Sequence, residues 1–146
     1  MSVDIGRIMA IDYGTRRIGV ALSDPLRMIA QGFETISWNG EDIDFVMNRI
    51  FELMTQKQVV GVVVGRPRRT DGQESKLQQD IDAFSQSIFD KTGIRVIYWD
   101  ERYTTVIANR QMQEVNISGA NRKKMVDNMA AQIILREYLE KNRTSL

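Results

Sequence analysis

The chain has 146 residues, 20 Lys plus Arg against 19 Asp plus Glu, a formal net charge of +1, and neither histidine nor cysteine. Those two absences exclude disulfides, thiol nucleophiles, thiolate metal sites and every imidazole-based mechanism. Catalysis would have to come from carboxylates, lysine, hydroxyls, backbone groups or a metal held by oxygen, and hard oxygen ligands suit magnesium, manganese or calcium rather than zinc or copper.

The length fits a single domain over residues 1–146, long enough to bury a real core. The 42% hydrophobic and 27% charged fractions are ordinary for a globular protein. No apolar run approaches the ~20 residues that span a bilayer, and Met1–Gly6 carries Asp4 and no leader pattern. A cytoplasmic location with no membrane partner is the expectation.

Ile8–Ile11 is a short apolar run ending at Asp12, and Arg17–Leu22 alternates through Ile18, Val20 and Leu22. Tyr13-Gly14-Thr15-Arg16 between them reads as the turn of a hairpin. Gly32–Ser37 is a third strand candidate. After the Asn39-Gly40 break the period becomes helical through Ile43, Val46, Met47, Ile50, Leu53 and Met54. Val59–Val64 is a nearly unbroken β-branched run, the pattern of a strand covered on both faces.

Thr70 with Gln73 and Asp71 with Glu74 predict a helix start there, with Leu77, Ile81, Phe84 and Ile88 inward and a glycine stop at Lys91-Thr92-Gly93. Ile94–Trp99 is a fifth strand, followed by Asp100-Glu101-Arg102. Thr104 or Thr105 caps a helix to about Val115, Asn116–Gly119 breaks it, and Asn121 caps a last helix to about Lys141. The order β-β-β-α-β-α-β-α-α predicts an α/β fold, a mixed five-stranded sheet with helices on both faces.

Three acids break the local apolar pattern. Asp12 ends the first strand, and Glu101 follows Tyr98-Trp99 closely. Asp127 stands at the N-terminal end of a helical stripe formed by Ala130, Ala131, Ile134, Leu135 and Tyr138. Individually, each has a structural explanation: a turn cap, a surface acid paired with Arg102, a first-turn acid complementing the helix dipole. Together, at the ends of apolar elements, they point to a ligand site. Carboxylates that converge repel one another, and a cation between them resolves this.

Basic residues collect beside the same segments: Arg16 and Arg17 after Asp12, Arg66, Arg68 and Arg69 after the fourth strand, Arg102 after Glu101, and Lys123 and Lys124 before Asp127. Each cluster alone suits a solvated surface. Four at loops on one sheet edge suggest a phosphate-rich ligand. A polyanion held against carboxylates requires bridging metal, which points to metal-assisted phosphodiester cleavage. Gly14-Thr15 could also cradle a phosphate. Tyr98 and Trp99 could stack on bases, although aromatics in an apolar run more often belong to the core.

Four segments resemble, in order, the motifs of the bacterial YqgF family, also called RuvX. They are Ala10-Ile11-Asp12-Tyr13-Gly14-Thr15-Arg16-Arg17-Ile18-Gly19-Val20-Ala21, then Val63-Val64-Gly65-Arg66-Pro67 with Asp71-Gly72, then Asp100-Glu101-Arg102-Tyr103-Thr104-Thr105, then Asp127-Asn128-Met129-Ala130-Ala131 with Ile134-Leu135. The resemblance spans essentially the whole chain. It implies a ribonuclease H-like fold and a metal-dependent nuclease. The family is described both as a Holliday-junction resolvase and as a processing nuclease for the 5′ end of precursor 16S ribosomal RNA.

By motif, Asp12, Glu101 and Asp127 would be the catalytic, metal-binding acids, with Asp71 and Asp100 as helpers and Mg2+ or Mn2+ as cofactor. The partners implied are structured RNA or branched DNA, and ribosome-assembly factors for the ribosomal role. Family members often carry an apolar residue where Arg66 stands and asparagine near Arg69, so this loop is more basic; Asn128 and Met129 depart from the usual small residues of the fourth motif.

Two other readings compete with the nuclease. One is a catalytically silent nucleic-acid-binding module on the same fold, which salt-dependent binding without cleavage would favour. The other is an actin-like ATP-binding domain, whose phosphate loop Asp12-x-Gly14-Thr15 resembles. That fold closes a second domain over its nucleotide, for which 146 residues are too few.

Overall fold

The computed structural model describes residues 6–67, 75–100 and 119–144, with the backbone alone for 119–128 and 143–144. The described elements are β1 (Arg7–Asp12), β2 (Arg17–Ser23), β3 (Ala30–Ser37), α1 (Ile43–Gln56), β4 (Val59–Arg66), α2 (Lys76–Thr92), β5 (Val96–Asp100) and α3 (Gly119–Thr144). The strands form one sheet in the order β3-β2-β1-β4-β5. The β1–β2 and β2–β3 pairs are antiparallel, and the β1–β4 and β4–β5 pairs are parallel. The expected mixed five-stranded sheet is present.

Side-chain alternation along the strands divides the interior into two cores. Met9, Ile11, Ile18, Val20, Val62 and Val64 face α1 and α2, where Val46, Ile50, Leu53, Ile81, Phe84 and Ile88 meet them. Ile8, Ala10, Ala21 and Val63 face the other way, onto Ala130, Ala131, Ile134, Leu135 and Leu139 of α3. Helices therefore cover both faces, and β1 and β4 are buried on both, as the Val59–Val64 run implied. Ala130 and Ala131 are the smallest residues of the α3 stripe and are fully buried. Met9, Met47 and Met54 are core residues as well.

Element boundaries differ from the sequence expectation in instructive places. β3 begins at Ala30 rather than Gly32 because the β2–β3 ladder is bulged: Val20 faces Glu34 while the next residue, Ala21, faces Gly32. Phe33 is the extra residue, and the bulge breaks the period-2 signal that would have carried the strand further back. β4 runs on to Arg66, and β5 starts at Val96 rather than Ile94. The Ile94 N–H is instead used locally, donating to Thr92 Oγ1 at 3.0 Å.

α2 begins at Lys76, not near Thr70 or Asp71. Ser75 and Gln78 form the capping box: Ser75 Oγ accepts from the Gln78 N–H at 3.1 Å, and the Ser75 N–H donates to Gln78 Oε1 at 2.9 Å. Gln78 Nε2 also donates to the Pro67 carbonyl at 2.7 Å, which ties the start of α2 to the end of β4. A buried glutamine with both ends engaged fixes the cap here rather than at the two similar pairs upstream. Gly93 closes the helix as expected, with φ 72° and its N–H donating to the Phe89 carbonyl at 2.8 Å.

α3 begins at Gly119, two residues ahead of the expected Asn121 cap. The helix expected over 104–115 lies outside the described residues. Among the described residues, no helix is long and apolar enough to cross a membrane.

The close approach of α3 is testable. Ala131→Leu adds volume where the helix meets the sheet and should cost about 1–3 kcal/mol through overpacking. Urea denaturation should show a lower midpoint with an unchanged slope. An unchanged midpoint would mean that α3 does not seat on the sheet at this residue.

Candidate active site

The three parallel strands β1, β4 and β5 end together, because Ile11 is level with Val64, Gly65 with Trp99, and Arg66 with Asp100. Ligand sites of α/β sheets form at such carboxyl ends. Asp12, the last residue of β1, pairs across the ladder with Gly19, and Gly19 pairs with Thr35. On the other side, one step beyond Ile11–Val64, Gly65 is level with Asp12. One row across the sheet thus reads Thr35, Gly19, Asp12, Gly65, Trp99. By strand alternation this row shares its face with Ala10 and Val63, the face that α3 covers.

The two neighbours of Asp12 in this row carry no side chain, so the half-buried carboxylate stands between bare backbone on both sides. Sequence reasoning singled out Asp12 and missed its flanking glycines. The available signal was a glycine in each of two apolar strands, Gly19 in Ile18–Leu22 and Gly65 directly after Val64, where side-chain packing is forgone so that something else can approach.

The turn after Asp12 is held rigidly. A Cβ at Gly14 would lie 2.4 Å from the Arg17 carbonyl oxygen, so only glycine allows the chain to fold this tightly. Trp38 braces the turn twice: its indole N–H donates to the Gly14 carbonyl at 3.0 Å, and its backbone N–H donates to the Arg16 carbonyl at 3.1 Å. The Tyr13 ring meets Trp38 and Phe84 edge-on at centroid distances of 6.0 and 5.2 Å. Burial, with a smaller contribution from the Asp80 charge, pushes the Tyr13 hydroxyl pKa up, so it stays protonated. Arg16 is exposed at this turn and Arg17 is half-buried at the start of β2.

Arg66 ends β4 with its guanidinium engaged. It makes paired bonds to Asp82 of α2 at 3.0 and 3.1 Å and lies 5.5 Å from the centre of the Tyr98 ring. The Arg66 hydrogen bonds hold the Asp82 carboxyl below its usual range. Burial raises the Tyr98 hydroxyl. Asp100 alternates onto this α2 face with Tyr98, opposite to the face of Asp12. Trp99 packs under α3 against Tyr138, with ring centroids 6.2 Å apart, and Lys141 Nζ is 5.6 Å from the Trp99 ring. Trp99 is therefore partly buried against the α3 core.

Of the three expected acids, the structure describes Asp12 fully. Glu101 lies outside the described residues, as do Arg68, Arg69, Asp71 and Arg102. Asp127, Lys123 and Lys124 belong to the backbone of α3, and their side chains lie outside the described residues. The described contacts of α3 run from Gln132, whose amide donates to the Ala30 carbonyl of β3 at 3.2 Å, to Tyr138 and Lys141 at Trp99 of β5. Asp127 precedes Gln132 and so lies to the β3 side of these contacts, away from the Trp99 end.

Among the described residues no three acids stand together as a metal cage. The part of the donor set that is described fits a hard divalent cation. Asp12 offers oxygen between two glycines, in a chain with no histidine or cysteine to attract a softer metal.

The arrangement is that of a ribonuclease H-like sheet with an acid at the end of its first strand. The likeness extends to solved structures: Thermus thermophilus RuvC in complex with a Holliday junction substrate superposes with a TM-score of 0.62 at 14% identity, covering 94% of this chain and 96% of that one. The fowlpox virus resolvase bound to Holliday junction DNA gives 0.57 at 12% identity, covering 92% and 97%. At these identities the likeness is one of fold. The chain belongs to the RuvX family, described as Holliday junction resolvase, whose model matches residues 6–141. Relatives named "Putative pre-16S rRNA nuclease" include one from Acetivibrio thermocellus, 45% identical and covering 92% of this chain and 95% of its own length. Another, from Streptococcus sanguinis, is 39% identical and covers 93% and 99%.

The Arg66–Asp82 pair gives a pH signature. The Asp82 carboxyl is depressed below its ordinary 3.8 in the folded state. Its contribution is therefore present above that value and lost as pH falls through the folded value. Asp82→Asn should destabilise the protein at about pH 7 by less than ~1 kcal/mol, as expected of a partly exposed pair. The gap from wild type should narrow as pH falls below 3.8 and close once pH is below the folded value. A gap that persists in acid would show that the amide disturbs packing rather than removing an ion pair.

Proposed function

We propose that this protein is a cytoplasmic, metal-dependent endonuclease that trims the 5′ end of precursor 16S ribosomal RNA. Asp12, Glu101 and Asp127 would be its metal ligands. The observation that carries the reading is the position of Asp12, at the carboxyl end of a fully buried strand and between two glycines, in a family of resolvases and among relatives named for ribosomal RNA processing. A second substrate, the four-way DNA junction, is favoured by the family description and by the resolvase folds.

A divalent ion bound at Asp12 would supply the Lewis-acid charge that phosphodiester hydrolysis requires. Mg2+ and Mn2+ both suit an oxygen-only donor set. The chain's own residues do the rest. Asp12 is presented by a strand that cannot shift. Arg16 and Arg17, on the braced turn beside it, would contact backbone phosphates and set the register of the polymer without reading its sequence. Arg68, Arg69, Arg102, Lys123 and Lys124 would extend that contact. Arg66 would act indirectly, since its bonds to Asp82 fix the end of β4 beside Asp12.

The decisive comparison is cleavage of a 5′-extended precursor RNA and of a four-way DNA junction by wild type and Asp12→Asn, with magnesium, manganese or chelator. Wild type should cut the RNA only with metal. Asp12→Asn should lose more activity than the about 10–100-fold caused by losing an outer-shell partner, and should bind the RNA as before. Asp127→Asn is the arm that separates a ligand from a helix-terminal acid, since only a ligand reproduces the Asp12→Asn loss. Undiminished cutting by Asp12→Asn would remove Asp12 from the site, and metal-independent cutting would remove the cation.

A further inference from the structure

The edge that carries Asp12 has a second feature, on the opposite face of the sheet. Tyr13, the residue after Asp12, together with Trp38, Glu41, Lys76, Asp80 and Ser87, lines an open cleft of about 260 Å3 between the starts of α1 and α2. Its aromatic wall is preset. Trp38 is locked by its bond to the Gly14 carbonyl, and Tyr13 is wedged edge-on between Trp38 and Phe84. Its polar side is an i, i+4 pair: Lys76 Nζ donates to Asp80 Oδ1 at 3.2 Å across one helical turn of α2. The cleft adjoins the turn that carries the exposed Arg16.

We infer that this cleft receives a guanine base of the same strand whose phosphate is presented to Asp12. Aromatic faces with a few polar groups are how proteins hold an unstacked base, by stacking and by bonds to its Watson–Crick edge. The order of polar groups selects the base. Guanine places two donors, N1–H and the N2 amino group, side by side, and these match the two oxygens of a carboxylate. Its O6 lies next to them and accepts from an ammonium, so Asp80 and Lys76 are complementary to guanine in sequence along the edge. Adenine places the N1 acceptor where guanine has a donor, against the carboxylate. Uracil offers one donor between two acceptors. Asp12 and Tyr13 are consecutive, with side chains on opposite faces of the sheet, so a strand that crosses this edge passes both.

The inference rests on the nuclease reading for its ligand, and the test separates the two. Binding is measured in chelator, so that no cleavage occurs, by fluorescence anisotropy with uridine octamers carrying one central guanine, adenine or hypoxanthine. Wild type should bind the guanine octamer about tenfold tighter than the adenine octamer, the discrimination typical of one bidentate base contact. Hypoxanthine, which lacks the amino group, should fall between them. Asp80→Asn should bring guanine and adenine to within about twofold of each other, because the amide opposes a donor with a donor. Lys76→Gln, at a side chain 87% exposed and safe for folding, should weaken guanine binding alone.

Equal binding of guanine and adenine by wild type, or a preference that survives in Asp80→Asn, would overturn the inference. Guanosine monophosphate that competes as well as the octamer would make the cleft a free-nucleotide site and overturn its assignment to the strand. Cleavage is assayed separately with magnesium. Guanine preference without any cleavage sinks the nuclease reading alone, and cleavage without guanine preference sinks the cleft alone.

Discussion

A carboxylate at the end of a strand that is paired on both edges and covered on both faces can be placed with very little freedom. β1 meets that condition: β2 and β4 flank it, α1 and α2 cover one face, and α3 covers the other. Its four central residues are buried, with Ile8 the most accessible at 6%. Moving Asp12 would require moving a strand that both cores share. Cores packed to crystal-like density resist such shifts, and this rigidity is what a preorganised site needs.

The connections place different chemistry at the same edge. Because β3 and β4 both end there, α1 and α2 both begin there. The short β1–β2 turn lies between them, pinned by Trp38 from the end of β3. The α3 face of this edge presents Asp12 between glycines, a surface for charge. The α1/α2 face presents Tyr13 and Trp38 beside Asp80 and Lys76, a surface for a planar group. A polymer crossing the edge would meet Arg16 between them. The turn that follows Asp12 carries Tyr13 and is pinned by Trp38, so the two surfaces share one braced edge.

Much of this was legible in local patterns. The β-branched Val59–Val64 run, the helical period of α1, the Gly93 stop and the stripe from Ala130 to Tyr138 each follow from short-range physics, and all stand in the structure. Asp12 was visible as an acid that an apolar strand does not need. What was not legible depends on register or on distant partners. The Phe33 bulge hid the first part of β3, because an inserted residue inverts the alternation. Ser75 was outcompeted in the sequence by two similar capping pairs, whereas the fold ties its partner Gln78 to the distant Pro67 carbonyl. Gly19 and Gly65 become neighbours of Asp12 only once three strands are in register. The cleft joins Tyr13, Trp38 and Asp80, which no window of sequence brings together. Arg66 reads as a phosphate contact from its loop, whereas the fold gives it Asp82 as a partner.

The central claim is that Asp12 is a ligand for a divalent cation rather than a turn cap. Manganese binding, followed by electron paramagnetic resonance in the absence of nucleic acid, tests it without relying on activity. Wild type should take up Mn2+, magnesium should displace it, and Asp12→Asn should lose the site while retaining the wild-type thermal unfolding midpoint. Identical Mn2+ binding by wild type and Asp12→Asn would contradict the account, because the ion would then be held by groups other than the one on which the site is built.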